Sequence, residues 1–233
     1  MSPPPSTTTS TENGDDFARA RRRMVERQLW RRGIRDECVL AAMAAVPRER
    51  FVTPDDRSSA YRDGALRIGE GQTISQPWIV ASMAALLELD GDERVLEVGA
   101  GSGYGAAVLS RCCAEVVTIE RHASLASRAR STLAELGYTN VDVRSADGSC
   151  GAPDRAPFDA ISVAATAEGA VPAALLDQLA STGTLVCPLR RGGAEYLIRL
   201  RRGVEERIAP VRFVPLVESQ GADGGDESGG QRP

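Results

Sequence analysis

The sequence contains no lysine; all 28 of its basic residues are arginines, which reflects coding bias rather than physics. It has a single histidine, His122, so no Ser-His-Asp triad can be assembled from it. Nowhere does an apolar run approach the roughly 18 residues that a membrane span needs. The N-terminus shows neither a basic n-region nor an apolar h-region. A cytoplasmic protein with no membrane partner is therefore expected. The five cysteines are odd in number and form no CxxC pair or metal-ligand spacing, so they read as free, mostly buried thiols, and no metal is expected. An excess of basic charge is lacking too, since 28 basic residues face 32 acidic ones and leave a formal charge of -4. A nucleic acid partner is not expected on that balance. Arg19, Arg21, Arg22 and Arg23 do cluster, but beside Asp15 and Asp16 they read as a solvated helix face.

What is present is enough apolar residue, 42% of 233, to bury one good core. Residues 1–16 are rich in Pro, Ser and Thr and residues 219–233 in Gly and Asp, so both ends are expected to be disordered tails around a single domain at 17–218. Within it, residues 17–90 divide from 91–218. Between 17 and 52, apolar residues recur at helical spacing in two runs separated by Gly33, a helical prelude. A glycine-punctuated segment follows, then a helix over 78–87 opened by Pro77. From Glu93 onward, short apolar runs (RVLEVG, EVVTIE, VDVRSA, FDAISVAA, GTLVCPL) alternate with helix-like stretches at 104–113, 122–136 and 172–179. That alternation marks βαβ units and a mostly parallel sheet. Two last strands, AEYLIRLRR and ERIAPVRFVPL, leave no room for a crossover helix and must pair antiparallel.

The main chemical signal is VLEVGAGSGYGAA, an apolar strand running into Gly99, Gly101 and Gly103 and then a helix. Glycines there let the backbone turn sharply and approach a nucleoside ligand closely, beyond the strand's carboxyl end. The same letters contain GxGxxA, so a dinucleotide remains open. Glu120 ends the next strand about 20 residues on, where a carboxylate can accept ribose hydroxyls; Arg121 follows it. Asp147 ends the third strand beside Gly148, where it can accept from an adenine amine or simply make a turn. Glu97 lies inside the glycine strand between apolar neighbours, and a carboxylate there is costly unless it meets a cation or braces loop amides. His122 opens the helix after the second strand or flanks the nucleoside. Thr73 and Ser75, in a TISQP turn before a helix, offer hydroxyls and amides to an anion, or merely cap that helix.

GQTISQPWIVASM (71–83), VLEVGAGSGYGAAVL, TIER (118–121), LGYTNVDV (136–143), PFDAISVAA (157–165), VPAALLDQL (171–179) and FVPL (213–216) together resemble the protein-L-isoaspartate O-methyltransferases in order and spacing. The resemblance runs from about Met24 to Val217, and TISQP is its specific part. It implies an α/β fold of the class I methyltransferase type: a doubly wound, mostly parallel seven-stranded sheet with an N-terminal helical prelude and an antiparallel C-terminal strand pair. It implies S-adenosyl-L-methionine as cofactor and the free carboxylate of L-isoaspartyl residues in damaged proteins or peptides as acceptor, the ester leading to repair through a succinimide. Ser75 matches the family's catalytic serine. Ile68, Gly69, Thr73, Glu97, Gly99, Gly101, Gly103, Glu120, Arg121, Asp147 and Gly148 are the expected cofactor residues, with the backbone of 68–71 closing over the cofactor's methionine end. A monomer is expected. The chain departs from the family pattern at Trp78, where Tyr is usual, at Gly105 for a common Gln, at Ala146 for a Gly, and in SVAAT (162–166). Competing readings are a peptide-tailoring Asp carboxyl methyltransferase with one dedicated substrate, an NAD-binding oxidoreductase, and an inactive adenosyl-binding module.

Overall fold

The computed structural model describes residues 9–217, so residues 1–8 of the expected N-terminal tail (1–16) and all of the expected C-terminal tail (219–233) lie outside the described residues. Residues 9–16 are helical and not a tail. Helix α1 spans Thr9–Met24 and continues through a π-helical turn at Val25–Leu29 and a 3-10 turn at Trp30–Arg32. The helix thus begins eight residues before the expected start at Phe17. Its early turns add residues to an existing helix without a new nucleation cost. Gly33, with φ of 96°, ends the run in the left-handed conformation. Helix α2 (Glu37–Ala45) follows, capped by the Asp36 carboxylate accepting from Val39 N at 2.9 Å.

A two-stranded antiparallel hairpin, β1 (Leu66–Gly69) and β2 (Gln72–Ile74), leads into α3 (Pro77–Leu86). The main sheet then alternates as β3 (Arg94–Val98), α4 (Tyr104–Leu109), β4 (Glu115–Glu120), α5 (Ala123–Glu135), β5 (Val141–Ser145), β6 (Phe158–Val163), a two-residue β7 (Ala167–Glu168) and α6 (Ala173–Asp177). Strands β8 (Leu179–Arg191), β9 (Ala194–Arg201) and β10 (Val204–Pro210) close the chain.

The spatial order is β10-β9-β8-β6-β3-β4-β5, seven strands, with β7 added beside β8. Strands β8, β6, β3, β4 and β5 are parallel, and β9 and β10 are antiparallel, as their short connections require. The last expected strand stops at Pro210, and the chain beyond it becomes a strap whose Pro215 bridges to Thr166. Helices α4 and α6 are shorter than their sequence patterns, because apolar residues past Leu109 and Asp177 belong to turns and to β8. Alternation across the strands separates two cores. Val95, Val116 and Ala160 face α4, α5 and the prelude, whereas Leu96, Val117 and Ile161 face α6. Cys112, Cys113 and Cys187 are buried and Cys38 and Cys150 exposed, all free. No helix among the described residues is long and apolar enough to cross a membrane.

Candidate active site

Strand order reverses at β3, whose neighbours are β4 on one side and β6 on the other, so a crevice opens at its carboxyl end. The chain leaves β3 through three glycines with positive φ, Gly99 at 94°, Gly101 at 53° and Gly103 at 87°. Gly99 N donates to Ile119 O at 2.8 Å and Gly103 N to Ala100 O at 2.8 Å, folding the turn back on the sheet. At Gly101 a side chain would be both strained and crowded, its Cβ 3.2 Å from Ile68 Cδ1.

This turn forms one wall of a cleft of about 380 Å³. Glu120 stands beside it, nearly buried, accepting from Gly101 N at 2.8 Å and from His122 N at 2.9 Å. One carboxylate thereby clamps the glycine turn to the start of α5 while still facing the cleft. Thr73, Ser75, Glu97, Gly99, Gly101, Arg121 and Gly148 also line it. The remaining expected residues stand back. Ile68 is buried beneath Gly101, with its carbonyl accepting from Arg128 Nη2 at 2.8 Å. Gly69 faces Arg128, Gly103 packs on α5, and the Asp147 carboxylate caps a 3-10 turn through Ser149 N and Oγ. Of the 68–71 segment, it is Gly71 that reaches the cleft. Ala146 is exposed, donating its N–H to Glu120 O at 3.1 Å, and it is not among the lining residues.

Glu97 shows why a carboxyl can sit inside this strand. Parallel register places Thr118 on one side and Ser162 on the other, and Thr118 Oγ1 donates to Glu97 Oε2 at 2.5 Å. Its other oxygen occupies the space that a Cβ at position 105 would need, so Gly105 makes room for this rotamer. Burial pushes the Glu97 carboxyl up to about 8, with the Thr118 hydrogen bond opposing and the Glu120 charge adding to the rise. The folded state therefore holds a proton that the unfolded chain releases near pH 4.5. Stability falls as pH rises from about 4.5 through about 8 and is level above, where both states are ionised. Glu97→Gln is expected to remove this dependence. Between pH 6 and 9 the native protein should lose about 5 °C more in Tm than the variant, a difference that calorimetric scans measure.

The lining also includes residues that sequence reasoning passed over. Tyr104 and Ser162 are buried contributors from α4 and β6, and residues 214–217, part of the strap, also line the cleft. Their motif, FVPL, was legible in the sequence but carried no chemistry by itself. Thr166 N donates to Val214 O and Leu216 N to Thr166 O, each at 2.8 Å. The Glu195 carboxylate, on β9, accepts from Thr166 Oγ1 at 2.6 Å and Phe213 N at 2.7 Å. Burial would raise that carboxyl, but hydrogen bonds from Thr166, Arg190 and Phe213 hold it below its ordinary value. Thr166, the last residue of the SVAAT departure, thus fastens the strap.

A second cavity of about 640 Å³ adjoins it, lined by Ala65, Gln76, Ile79 and residues 210–213. The two cavities share Thr73, Ser75, Ala164 and Val214 as a common wall. Among the described residues no group of His, Cys, Asp and Glu is arranged to hold a metal.

A family model described as protein-L-isoaspartate(D-aspartate) O-methyltransferase matches residues 19–221. A protein-L-isoaspartate O-methyltransferase of Roseiflexus sp. (strain RS-1) is 56% identical over 206 residues, covering 87% of this chain and 94% of its own. Another, from Rhodopseudomonas palustris (strain HaA2), is 51% identical over 217 residues, covering 91% and 88%. Among solved structures, a protein-L-isoaspartate O-methyltransferase superposes with a TM-score of 0.76 at 28% identity, over 84% of this chain and 66% of that one. A Plasmodium falciparum protein assigned to the same activity, in complex with S-adenosyl-L-homocysteine, gives 0.72 at 25% identity over 85% and 99%.

Proposed function

Since this chain belongs to the protein-L-isoaspartate(D-aspartate) O-methyltransferase family, we propose that Ser75 and its turn hold the acceptor carboxylate between two cavities, one for the cofactor and one for the peptide. The protein is an S-adenosyl-L-methionine-dependent methyltransferase that esterifies the free carboxylate of L-isoaspartyl residues and so begins their repair. That activity also decides between the two nucleoside cofactors that the glycine turn left open.

The residues of the cleft suit the cofactor. Gly99 and Gly101 bring bare backbone to it, Glu120 keeps lone pairs free for ribose hydroxyls after its two amide contacts, and Glu97 offers a buried carboxyl to a cationic group. S-adenosyl-L-methionine supplies an intrinsically reactive sulfonium methyl. The acceptor carboxylate, with an ordinary pKa of about 4, is ionised near neutrality and needs no general base. The protein's task is then alignment and exclusion of water. Ser75 Oγ and the amides of its turn orient the carboxylate, and the strap at 214–217 shields the seam with Val214, Pro215 and Leu216. Loss of methanol from the ester gives the succinimide, which hydrolyses in part to normal aspartate.

The observation that supports this reading is the wall shared by the two cavities, in which Ser75 and Thr73 are the hydroxyl-bearing residues. Ser75→Ala is expected to lower kcat on an isoaspartyl peptide by about ten- to hundredfold, the loss of one hydrogen bond to a charged group. Its Kd for S-adenosyl-L-methionine should stay within about twofold. Labelled methyl transfer, run against the normal-aspartyl twin as a blank, measures it; full turnover in the variant removes Ser75 from the mechanism. We further take the protein to work in the cytoplasm as a monomer. Five free thiols suit a reducing compartment. Sedimentation of the full chain tests the second point.

A further inference from the structure

Arg48 is fully buried, and among the described residues no carboxylate forms an ion pair with it. Such a group is costly to bury, because its hydration is lost with no opposite charge in return. An apolar side chain would fill the space without that cost, so stability alone does not account for a guanidinium here. Its contacts are directional instead. Nε donates to Ala60 O at 2.8 Å and Nη2 to Ser75 O at 2.8 Å. The guanidinium carbon stands 4.8 Å from the centroid of the Tyr104 ring, while Nη1 has no hydrogen-bond partner. The Tyr104 ring offsets part of that cost, while desolvation still outweighs it and lowers the guanidinium's pKa.

These contacts join three segments around the cleft. Ser75 lies between β2 and α3, and the first turn of that helix uses the Gln76 carbonyl, not that of Ser75. The Ser75 carbonyl accepts instead from Arg48, outside its own segment. Arg48 is meanwhile held independently, since its neighbour Glu49 accepts the Tyr61 hydroxyl next to the Ala60 contact. Tyr104 is the first residue of α4, immediately after the glycine turn, and it lines the cofactor cleft. A planar fork with several fixed donors can register one backbone carbonyl against another while stacked on a ring; a flexible point charge cannot.

We propose that Arg48 is a positioning residue for methyl transfer, fixing the Ser75 turn relative to Tyr104 and the glycine turn so that acceptor and methyl donor are aligned. This rests on the reading that the Ser75 turn holds the acceptor. Arg48 itself lines neither cavity and acts through the Ser75 carbonyl.

Arg48→Met and Arg48→Lys, made in the full chain, test it, with the surface variant Arg50→Met as reference. Turnover of an isoaspartyl peptide is measured well below each Tm and divided by the number of cofactor-binding sites counted by calorimetry, which removes unfolded molecules from the comparison. Both Arg48 variants are expected to lose about ten- to hundredfold in kcat per site, with peptide KM and cofactor Kd within about threefold of the reference. Loss in the Lys variant is the informative part, because it keeps the charge and removes the fork. A lowered Tm with kcat per site retained overturns the proposal, and if the Met variant does not fold, the Lys variant decides by the same criterion. Ser75→Ala measured alongside separates the two ideas. Full turnover there with loss in Arg48→Lys rejects the Ser75 hydroxyl and keeps Arg48 as the holder of the turn's backbone; the reverse pattern rejects Arg48.

Discussion

Glu120→Ala is expected to raise the Kd for S-adenosyl-L-methionine by about two orders of magnitude, roughly 2.7 kcal/mol, while leaving the fold intact. The wild-type carboxylate does two things at once. It accepts from Gly101 N and His122 N, tying the glycine turn to the start of α5, and it faces the cleft. Each hydrogen bond to a charged group is worth about 1.5–3 kcal/mol, so losing the ligand contact and loosening the turn together reach the expected size. Glu120→Gln should fall between, near tenfold, because one arm of the amide is a donor that would meet a backbone N–H. Glu120→Asp should resemble Ala, since a shorter side chain cannot span both amides. Calorimetric titration with S-adenosyl-L-methionine or S-adenosyl-L-homocysteine is the measurement. An Ala variant binding within threefold of wild type would show that Glu120 is not part of the cofactor site.

Gly103→Val should lower Tm by about 10 °C and abolish cofactor binding near the wild-type melting range. Gly103 has φ of 87°, and a Cβ there would stand 3.2 Å from Ala129 Cβ and from Leu133 Cδ1, and 3.5 Å from the Ala129 Cα. The left-handed conformation costs about 1–2 kcal/mol for an L-residue, and overpacking adds about 1–3 kcal/mol. Each kcal/mol is worth about 2–4 °C in a domain of this size. Gly33→Ala supplies the control, since it has φ of 96° but open space where its Cβ would lie. It should show the strain without the clash and lose only a few degrees. If both variants melt alike, packing of the glycine turn on α5 is not what excludes a side chain at 103.

Much of this architecture is readable one-dimensionally because its rules are local. Helical spacing marked the prelude, Pro77 marked the start of α3, the alternation of short apolar runs with helix-like stretches marked β3 to β6 and α5, and the lack of crossover length between the last two strands called for antiparallel pairing. Glycines before Tyr104 announced the turn; Glu120 was legible only as a strand-end carboxylate suited to ribose hydroxyls, and its bonds to Gly101 N and His122 N appear only in the structure. Elements that stop for tertiary reasons were less legible. Helix α4 ends at Leu109 although apolar residues continue, and the last strand gives way at Pro210 to a strap held by Glu195 and Thr166.

Local sequence, then, determined the fold class, the family and the glycine turn, because backbone conformation and strand alternation depend on near neighbours and on residue type. The tertiary structure decided which polar groups meet. Glu97 finds Thr118 only through parallel register 21 residues away, and its rotamer depends on Gly105 having no side chain. Arg48 reaches Ser75 across 27 residues, and the strap closes on Thr166 from the far end of the domain. Such contacts leave no periodic trace in a sequence, since they are set by how packed layers bring distant segments to one cleft.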